Sequence, residues 1–187
     1  MQLFRCRSLY SVASSHARLF TSPAYPHVHV TKQKDGKSAA VSYLSEPSPR
    51  SRSIVGWCPL NKAGNDLDLT QPRHFEHNPA FLKALEEVCL AHAHEDPILQ
   101  AIAATQDSGH LHIADEKNPP DYGRIPYPED IIGTVRIEHG QVVAGSFRAM
   151  KEAFRPASIH GIVKLPAYLE EKLLALLKKE EASVKRV

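Results

Sequence analysis

Apolar residues recur at helical spacing in three segments of the chain. The clearest stripe places five apolar residues on one face of a helix: Phe81, Leu82, Leu85, Val88 and Cys89. Asn78 stands before this stripe as a favoured N-cap, and Pro79 occupies the first helical position. Asp96–Pro97 repeats the same start signal, and Pro166 opens a third helix that carries leucines on one face. The pattern predicts a helical hairpin and, near the end of the chain, a C-terminal helix.

Strict alternation between apolar and polar residues marks the β part of the chain. Residues 110–114 and 131–138 alternate in this way, and His139–Gly140 then supplies a tight turn. A weaker hairpin pattern covers residues 25–44, with its turn at Asp35–Gly36. Helices and antiparallel strands in separate segments predict an α+β fold: a small antiparallel sheet with the helical hairpin and the C-terminal helix packed on it.

Changes in composition divide the chain into four parts. Residues 1–20 form a leader, and residues 21–53 form a partly ordered segment that ends in a linker rich in serine and proline. Residues 54–180 are expected to be a single α+β domain, and residues 181–187 a solvated tail. The only tryptophan, Trp57, is expected to anchor the core of this domain.

The leader is basic and contains no acidic residue. From Met1 to Lys34 the chain has no aspartate or glutamate, and the first twenty residues contain three arginines among several serines. This composition is typical of a mitochondrial transit peptide, whose removal near Thr21 places the protein in the matrix. Removal takes away three of 23 basic residues and none of 21 acidic ones, so the net charge becomes −1. A protein near neutrality lacks the broad positive field that nonspecific nucleic-acid binding requires. The sequence also contains no run of about eighteen apolar residues, so it predicts no membrane span.

Complete catalytic motifs are absent from the sequence. The three cysteines form no CxxC pair, and no GxSxG, HExxH or GxxxxGK[ST] pattern occurs. His110 and His112 point the same way on a strand and can share a zinc ion, with Asp115, Glu116 or His139 as a nearby third ligand. The sequence therefore predicts no catalytic residue and no cofactor, and leaves a metal-dependent hydrolase or lyase that uses these histidines as an alternative.

A proline-rich segment separates the two alternating strands. Four prolines between Asn118 and Asp130 remove amide donors and fix backbone angles, so this segment can be neither a helix nor a central strand. It is expected to be a stiff, ordered loop that loses little entropy on binding. Aromatic and arginine side chains, which dominate protein interfaces, lie on it beside an isoleucine, and these are the predicted partner-binding residues: Tyr122, Arg124, Ile125 and Tyr127.

These features together favour a protein that works by binding. We expect a small soluble mitochondrial protein, an accessory or assembly component of a larger complex such as the ribosome or a respiratory-chain complex. An RNA-binding module is a further alternative, which requires basic and aromatic residues on one face of the sheet. Four arginines are candidates to gather on one side of the domain and bind an acidic groove, phosphate or RNA: Arg124, Arg136, Arg148 and Arg155. Acidic residues in the same segments favour ion pairs with these side chains instead.

Overall fold

The computed structural model describes most of the chain: residues 19–20, 27–33, 36–60, 67–69, 74–121 and 124–184. Within these residues the chain forms three α-helices and small antiparallel sheets, so the predicted α+β fold is confirmed. Buried apolar side chains from both larger sheets and from the helices join in one core cluster.

The first sheet has five strands in sequence order: β1 (Leu19–Phe20), β2 (His29–Lys32), β3 (Ser38–Ser42), β4 (Ile54–Pro59) and β5 (Glu76–His77). β2 and β3 form the predicted hairpin, and Gly36 adopts a left-handed conformation in the connection (φ 65°). Val30 and Val41 face each other across this hairpin and are fully buried. Residues 29–42 therefore share the core of the later strands, although the sequence assigned them to a segment before the domain.

The second sheet is built around a long central strand. It contains β6 (Ser108–Ala114), β7 (Ile131–Glu138), β8 (Gln141–Val142) and β9 (Arg148–Ala149), and β7 pairs with each of the others. His139 (φ 52°) and Gly140 (φ 71°) are both left-handed, which is the geometry of the two-residue turn predicted there. Ile113, Val135 and Ile137 face the core, so the residues between them form an outer face. A short separate hairpin follows, made of β10 (Ala157–Ser158) and β11 (Gly161–Ile162).

Two of the three helices begin at the predicted capping residues. The helices are α1 (Pro79–His92), α2 (Pro97–Ala103) and α3 (Ala167–Val184). Asn78 Oδ1 accepts a hydrogen bond from the Ala80 amide at 3.0 Å, and Asp96 Oδ1 accepts from the Ile98 and Leu99 amides at 2.8 and 3.2 Å. A short 3₁₀ turn joins α1 to α2. α1 packs along α3, which begins just after Pro166 as expected, whereas α2 packs against β8.

The aromatic residue at the centre of the core is Phe81 rather than Trp57. Phe81 is fully buried and stacks on Tyr43, with the two ring centroids 5.7 Å apart. Trp57 is half-buried and lies outside the core cluster, so the prediction that it anchors the core is wrong. Successive residues of a strand point to opposite faces, and on β4 it is Cys58, the next residue, that faces the core.

The segment between β3 and β4 is fixed to the end of α3. The Ser48 amide donates to Glu181 Oε1 at 2.8 Å, and the Ser51 hydroxyl donates to Glu181 Oε2 at 2.7 Å. Arg52 forms an ion pair of 2.7 Å with Glu180 on the same helix. Glu181 is only 8% exposed. The residues expected to form a linker and those expected to begin a solvated tail therefore hold each other in place.

Candidate functional site

Three charged side chains lie buried at the base of the proline loop (residues 118–130). Lys117 Nζ lies 2.7 Å from Asp115 Oδ2 and 2.8 Å from Asp130 Oδ1, and none of these three side chains is more than 2% exposed. Asp115 follows β6, and Asp130 precedes β7. A single buried cation therefore ties together the two ends of the loop. We call these three residues the clamp.

Hydrogen bonds complete the clamp. Asp115 Oδ1 accepts from the backbone amides of Lys117 and Lys164, both at 2.9 Å. Asn118 Nδ2 donates to Asp130 Oδ2 at 2.8 Å. Asp130 Oδ1 lies 2.8 Å from Lys117 Nζ, an ionic contact whose angles do not fit a hydrogen bond. Every carboxylate oxygen of the clamp thus has a donor or a cation beside it. This is the condition under which charges can stay buried, because an unpaired buried charge is strongly destabilising.

Burial raises the pKa of the Asp115 carboxyl above its ordinary value, because the charged form loses contact with water. The Lys117 ammonium and the two backbone amides act on this pKa in the opposite direction. Lys117 Nζ also donates to the Arg155 carbonyl at 3.2 Å and lies 5.5 Å from the centroid of the Phe154 ring. A lysine enclosed in this way cannot touch a substrate, so the clamp supports the loop rather than a reaction.

The proline loop is closed at its base and irregular above it. The Asp115 amide donates to the Asp130 carbonyl at 2.8 Å, which brings the two flanking chains together. In the part of the loop that the structure describes, residues 118–121 and 124–130, no α-helix or strand occurs, and a 3₁₀ turn at Pro128–Asp130 leads into β7. The prediction that the prolines exclude helix and central strand is confirmed for these residues.

The predicted partner-binding side chains of the loop point into solvent wherever they are described. Ile125 is 76% exposed and Tyr127 is 66% exposed, which are large values for side chains of this size. The Arg124 side chain is 78% exposed and forms one long ion pair with Asp121, at 3.8 Å. Tyr122 lies outside the described residues. Three of the four residues thus share one exposed stretch of chain, and their role in binding stays a prediction.

A second polar surface covers the outer face of the second sheet. His110 lies directly opposite Arg136 on the neighbouring strand, and Thr134 lies opposite His112 on one side and Arg148 on the other. His112 Nδ1 and Thr134 Oγ1 are 3.0 Å apart. Both histidines and both arginines are exposed. This cationic face therefore gathers two guanidinium groups and two imidazoles on adjacent strands.

The cationic face borders an open cleft of about 320 Å³. The residues that line the cleft are His110, Thr134, Arg136, Val143, Ala144, Gly145, Ser146 and Arg148. The turn between β8 and β9 forms one wall, where the Ser146 hydroxyl accepts from the Arg136 amide at 3.0 Å and donates to the Val143 carbonyl at 2.6 Å. Arg136 Nε lies 3.3 Å from Glu138 Oε1, whereas Arg148 has no ion-pair partner among the described residues.

The structure does not bring His110, His112 and Asp115 together as the ligands of a zinc site. His110 and His112 share the outer face of β6, as expected. Asp115 is fully buried, and its oxygens bind Lys117 and two backbone amides, so its carboxylate does not reach the exposed imidazoles. Across the part of the chain that the structure describes, no group of three His, Cys, Asp or Glu side chains is arranged to hold a metal ion.

The four arginines considered for RNA binding lie in three separate places. Arg136 and Arg148 share the cleft on the cationic face. Arg124 belongs to the proline loop. Arg155 folds back on its own segment, where its Nη1 donates to the Glu152 carbonyl at 2.8 Å. The structure therefore brings together one pair of arginines rather than a continuous basic surface of all four.

The two described cysteines are poor nucleophiles. Burial raises the pKa of Cys89 to about 12 and that of Cys58 to about 11. Cys58 Sγ also donates to the Asp68 carbonyl at 3.4 Å. Because the thiolate is the reactive form of cysteine, both side chains are suited to packing rather than to covalent catalysis.

An apolar groove lies between α1 and the second sheet, and the sequence did not predict it. Its volume is about 220 Å³, and its lining includes Leu82, Ile132 and Phe147. Lys151 and Glu86, which also line the groove, form an ion pair of 2.8 Å. Periodicity assigns Leu82 to the apolar stripe of α1, but it gives no sign that the surface beside this residue is open.

None of the helices in the described part of the chain has the length and apolar character that a membrane span requires. Comparison of the chain with protein-family models, with curated proteins and with solved structures finds no match.

Proposed function

We propose that this chain is a small mitochondrial matrix protein that acts by binding, as an accessory or assembly component of a larger complex such as the ribosome or a respiratory-chain complex. It contacts that complex through the proline loop, with Arg124, Ile125 and Tyr127. The observation that carries this proposal is the clamp, a buried cation between two buried carboxylates. It lies at the base of a loop whose Ile125 and Tyr127 side chains are exposed to solvent.

The clamp prepares the loop for binding. The two ends of the proline loop are fixed by the buried ion pairs, and the rings of four prolines restrict the backbone between these ends. A loop with few conformations loses little entropy when it docks, so more of the contact energy appears as affinity. Burial of the Ile125 and Tyr127 side chains supplies that contact energy, because both are largely exposed in the free protein.

The loop also indicates the chemistry of its partner. Ile125 and Tyr127 fit an apolar depression on a protein surface, the kind of contact made by interface hot spots. Arg124 has only a long ion pair, and its exposed guanidinium suits a carboxylate at the rim of that depression. The expected partner is therefore a protein surface with an apolar pocket and an acidic edge.

The proposed location depends on the leader. Residues 1–20 contain three arginines and no acidic residue, and the first acid of the chain is Asp35. An arginine-rich, serine-rich and acid-free N-terminus is typical of proteins imported into mitochondria.

The binding proposal is tested with the full-length protein, tagged at its C-terminus and expressed in cells whose mitochondrial lysate is separated on a sucrose gradient. We expect the wild-type protein to sediment with a large complex and Ile125→Asp to sediment as a free protein. The matched control is Ile98→Asp, because Ile98 is also a highly exposed isoleucine (59%) but lies on α2. This control is expected to remain in the complex.

Two results would contradict docking through the loop. One is a wild-type protein that sediments alone, and the other is release of Ile98→Asp and Ile125→Asp to the same extent. Thermal unfolding of both variants ensures that the comparison is between folded proteins, since substitutions at exposed sites usually change stability little.

The location is tested by import of the full-length chain into isolated mitochondria. We expect a shortened, protease-protected product that depends on the membrane potential, and no protected product from a chain that lacks residues 1–20. Full-length protein that stays accessible to protease would contradict the matrix location.

A further inference from the structure

We propose that the cleft on the cationic face binds the phosphate group of a small phosphate ester, a tetrahedral oxyanion with two negative charges. This inference involves none of the residues of the proline loop. It rests on the arrangement of His110, Arg136 and Arg148 around one pocket.

The cationic face concentrates positive groups where a sheet surface ordinarily alternates charges. Arg136 lies directly opposite His110 rather than opposite a carboxylate, so this position lacks the cross-strand pair of opposite charges that stabilises a sheet. Glu138 is the one carboxylate paired with this face, at 3.3 Å from Arg136 Nε, and Arg148 has no ion-pair partner in the described part of the chain. Local arrangements that break such rules are expected at functional sites, where a ligand supplies the missing charge.

The two guanidinium groups are placed to share one anion. Arg148 lies opposite Thr134, and Thr134 is two residues before Arg136 on β7. The two arginines are therefore diagonal neighbours on adjacent strands, with their Cα atoms about 7–8 Å apart. Arginine side chains span such a distance, and each presents five N–H donors. A phosphate dianion offers several oxygens in different directions and can accept from both groups at once. Glu138 contacts Arg136 through one pair of atoms only, Oε1 and Nε at 3.3 Å, and both side chains are exposed.

The wall of the cleft is held in place before any ligand arrives. The Ser146 hydroxyl accepts from the Arg136 amide and donates to the Val143 carbonyl, which fixes the turn between β8 and β9 against the central strand. A volume of about 320 Å³ matches the small end of ligand pockets in proteins. The pocket therefore has room for a phosphate group and the neighbouring atoms of its ester.

The lining of the cleft favours a small ester over a nucleic acid. The lining residues include no phenylalanine, tyrosine or tryptophan, so bases have only the His110 imidazole and the two guanidinium planes on which to stack. The chain without residues 1–20 has a net charge of −1, which is unfavourable for a long polyanion. One phosphate group requires only the local charge of the two arginines.

The test follows backbone amide resonances of the full-length protein during titration with inorganic phosphate, sulfate and ribose 5-phosphate. We expect saturable shifts at Thr134, Arg136 and Arg148, with ribose 5-phosphate at least as tight as phosphate. The double variant Arg136→Gln/Arg148→Gln is expected to weaken binding by about tenfold or more. The matched control is Arg50→Gln/Lys178→Gln, which removes the same charge from two exposed basic residues outside the cleft and the proline loop and is expected to leave affinity within about twofold.

Three results would overturn the proposal. The first is the absence of saturable shifts at the cleft. The second is equal weakening by the two double variants, which would mean that the ion responds to net charge alone. The third is a single-stranded RNA of about twelve nucleotides that displaces ribose 5-phosphate and binds with steep salt dependence, since that behaviour would make the face a nucleic-acid surface.

Discussion

Lys117 is the residue on which the position of the proline loop depends most. Replacement by methionine, which is apolar and of similar length, leaves Asp115 and Asp130 buried without their cation. We expect Lys117→Met to lower the free energy of unfolding at neutral pH by about 3–5 kcal/mol, because a buried charge that loses its partner is strongly destabilising. Chemical denaturation of the full-length variant measures this change.

The matched control for this variant is Lys151→Met. Lys151 pairs with Glu86 at 2.8 Å, close to the distances within the clamp, but its side chain is 69% exposed. Solvent screening makes such a surface pair worth less than about 1 kcal/mol. Equal losses of stability in the two variants would show that burial of the clamp has no special effect.

The pH dependence of stability tests the same cluster in another way. Burial raises the pKa of Asp115 in the native protein, and removal of the Lys117 ammonium raises it further. A carboxyl whose pKa is higher in the folded than in the unfolded state favours folding below its unfolded pKa, and this contribution is lost as pH rises through the folded pKa. Lys117→Met is therefore expected to be closest to wild type near about pH 4 and to fall behind as pH rises to 7. A constant difference over this range would mean that packing, rather than charge, accounts for the loss.

The two described thiols are expected to be unreactive in the folded protein. With pKa values of about 11 and about 12, Cys58 and Cys89 are thiolates at pH 8 in roughly one molecule in a thousand or fewer. In a Cys6→Ser background, because Cys6 lies outside the described residues, a thiol reagent should label the denatured protein fully and the native protein hardly at all. Mass spectrometry measures the labelling, and rapid modification of either native thiol would contradict their burial.

Single residues show where prediction from sequence succeeds and where it stops. Asn78 and Asp96 were predicted as helix caps because a cap bonds to the amides that follow it, and both contacts are confirmed. The role of Lys117 was not predicted, since its second partner, Asp130, stands at the far end of the loop. A lysine among polar neighbours is usually exposed, so no local pattern distinguishes a buried one.

At the scale of elements, Asn78 joins α1 to the first sheet as well as capping the helix. Its Nδ2 donates to the carbonyls of Ile54 at 2.8 Å and Ser51 at 3.2 Å. Asn78→Ser keeps a capping oxygen and loses both donors, and is expected to cost about 1–2 kcal/mol. Asn78→Ala also loses the cap and is expected to cost about 1 kcal/mol more. Denaturant unfolding compares the two variants, and equal losses would mean that the cap contributes nothing.

The elements that were predicted best have regular patterns over several residues. β6 and β7 alternate strictly, and the structure pairs them along nearly their whole length. For α2, the start signal at Asp96–Pro97 identified the helix but not the depth of its burial, because the apolar residues Ile98 and Ile102 on it are 59% and 41% exposed. An apolar stripe predicts which face of a helix can be buried, and the surface that meets this face is set by distant parts of the chain.

At the scale of the whole molecule, the first sheet is joined to the chain before α3 by contacts that leave no mark in the local sequence. The Tyr43 hydroxyl and the His27 imidazole both bond to the Val163 carbonyl, at 2.8 and 3.1 Å. These bonds join the region of the first sheet to the chain that leads into α3. Residues before position 54 therefore appeared peripheral in the sequence, although the structure places Val30 and Val41 in the common core.

Removal of the leader is expected to change the edge of the first sheet without changing its core. In the full chain Leu19 and Phe20 pair with Thr31 and Val30 of β2. A chain that lacks residues 1–20 leaves β2 as the edge strand, with unpaired backbone groups facing outwards. We expect faster hydrogen exchange at the outward amides of β2 and unchanged exchange in β3 and β4. Loss of protection in those inner strands would show that β1 supports the fold rather than only covering its edge.

The closed base of the proline loop has a consequence for how this protein can evolve. Because the amide of Asp115 and the carbonyl of Asp130 are bonded below the loop, the tip can change in length or composition without reaching the strands. The sequence of residues 121–127 can therefore change during evolution while the rest of the fold is conserved. Descendants of this chain can acquire new binding specificities in this way.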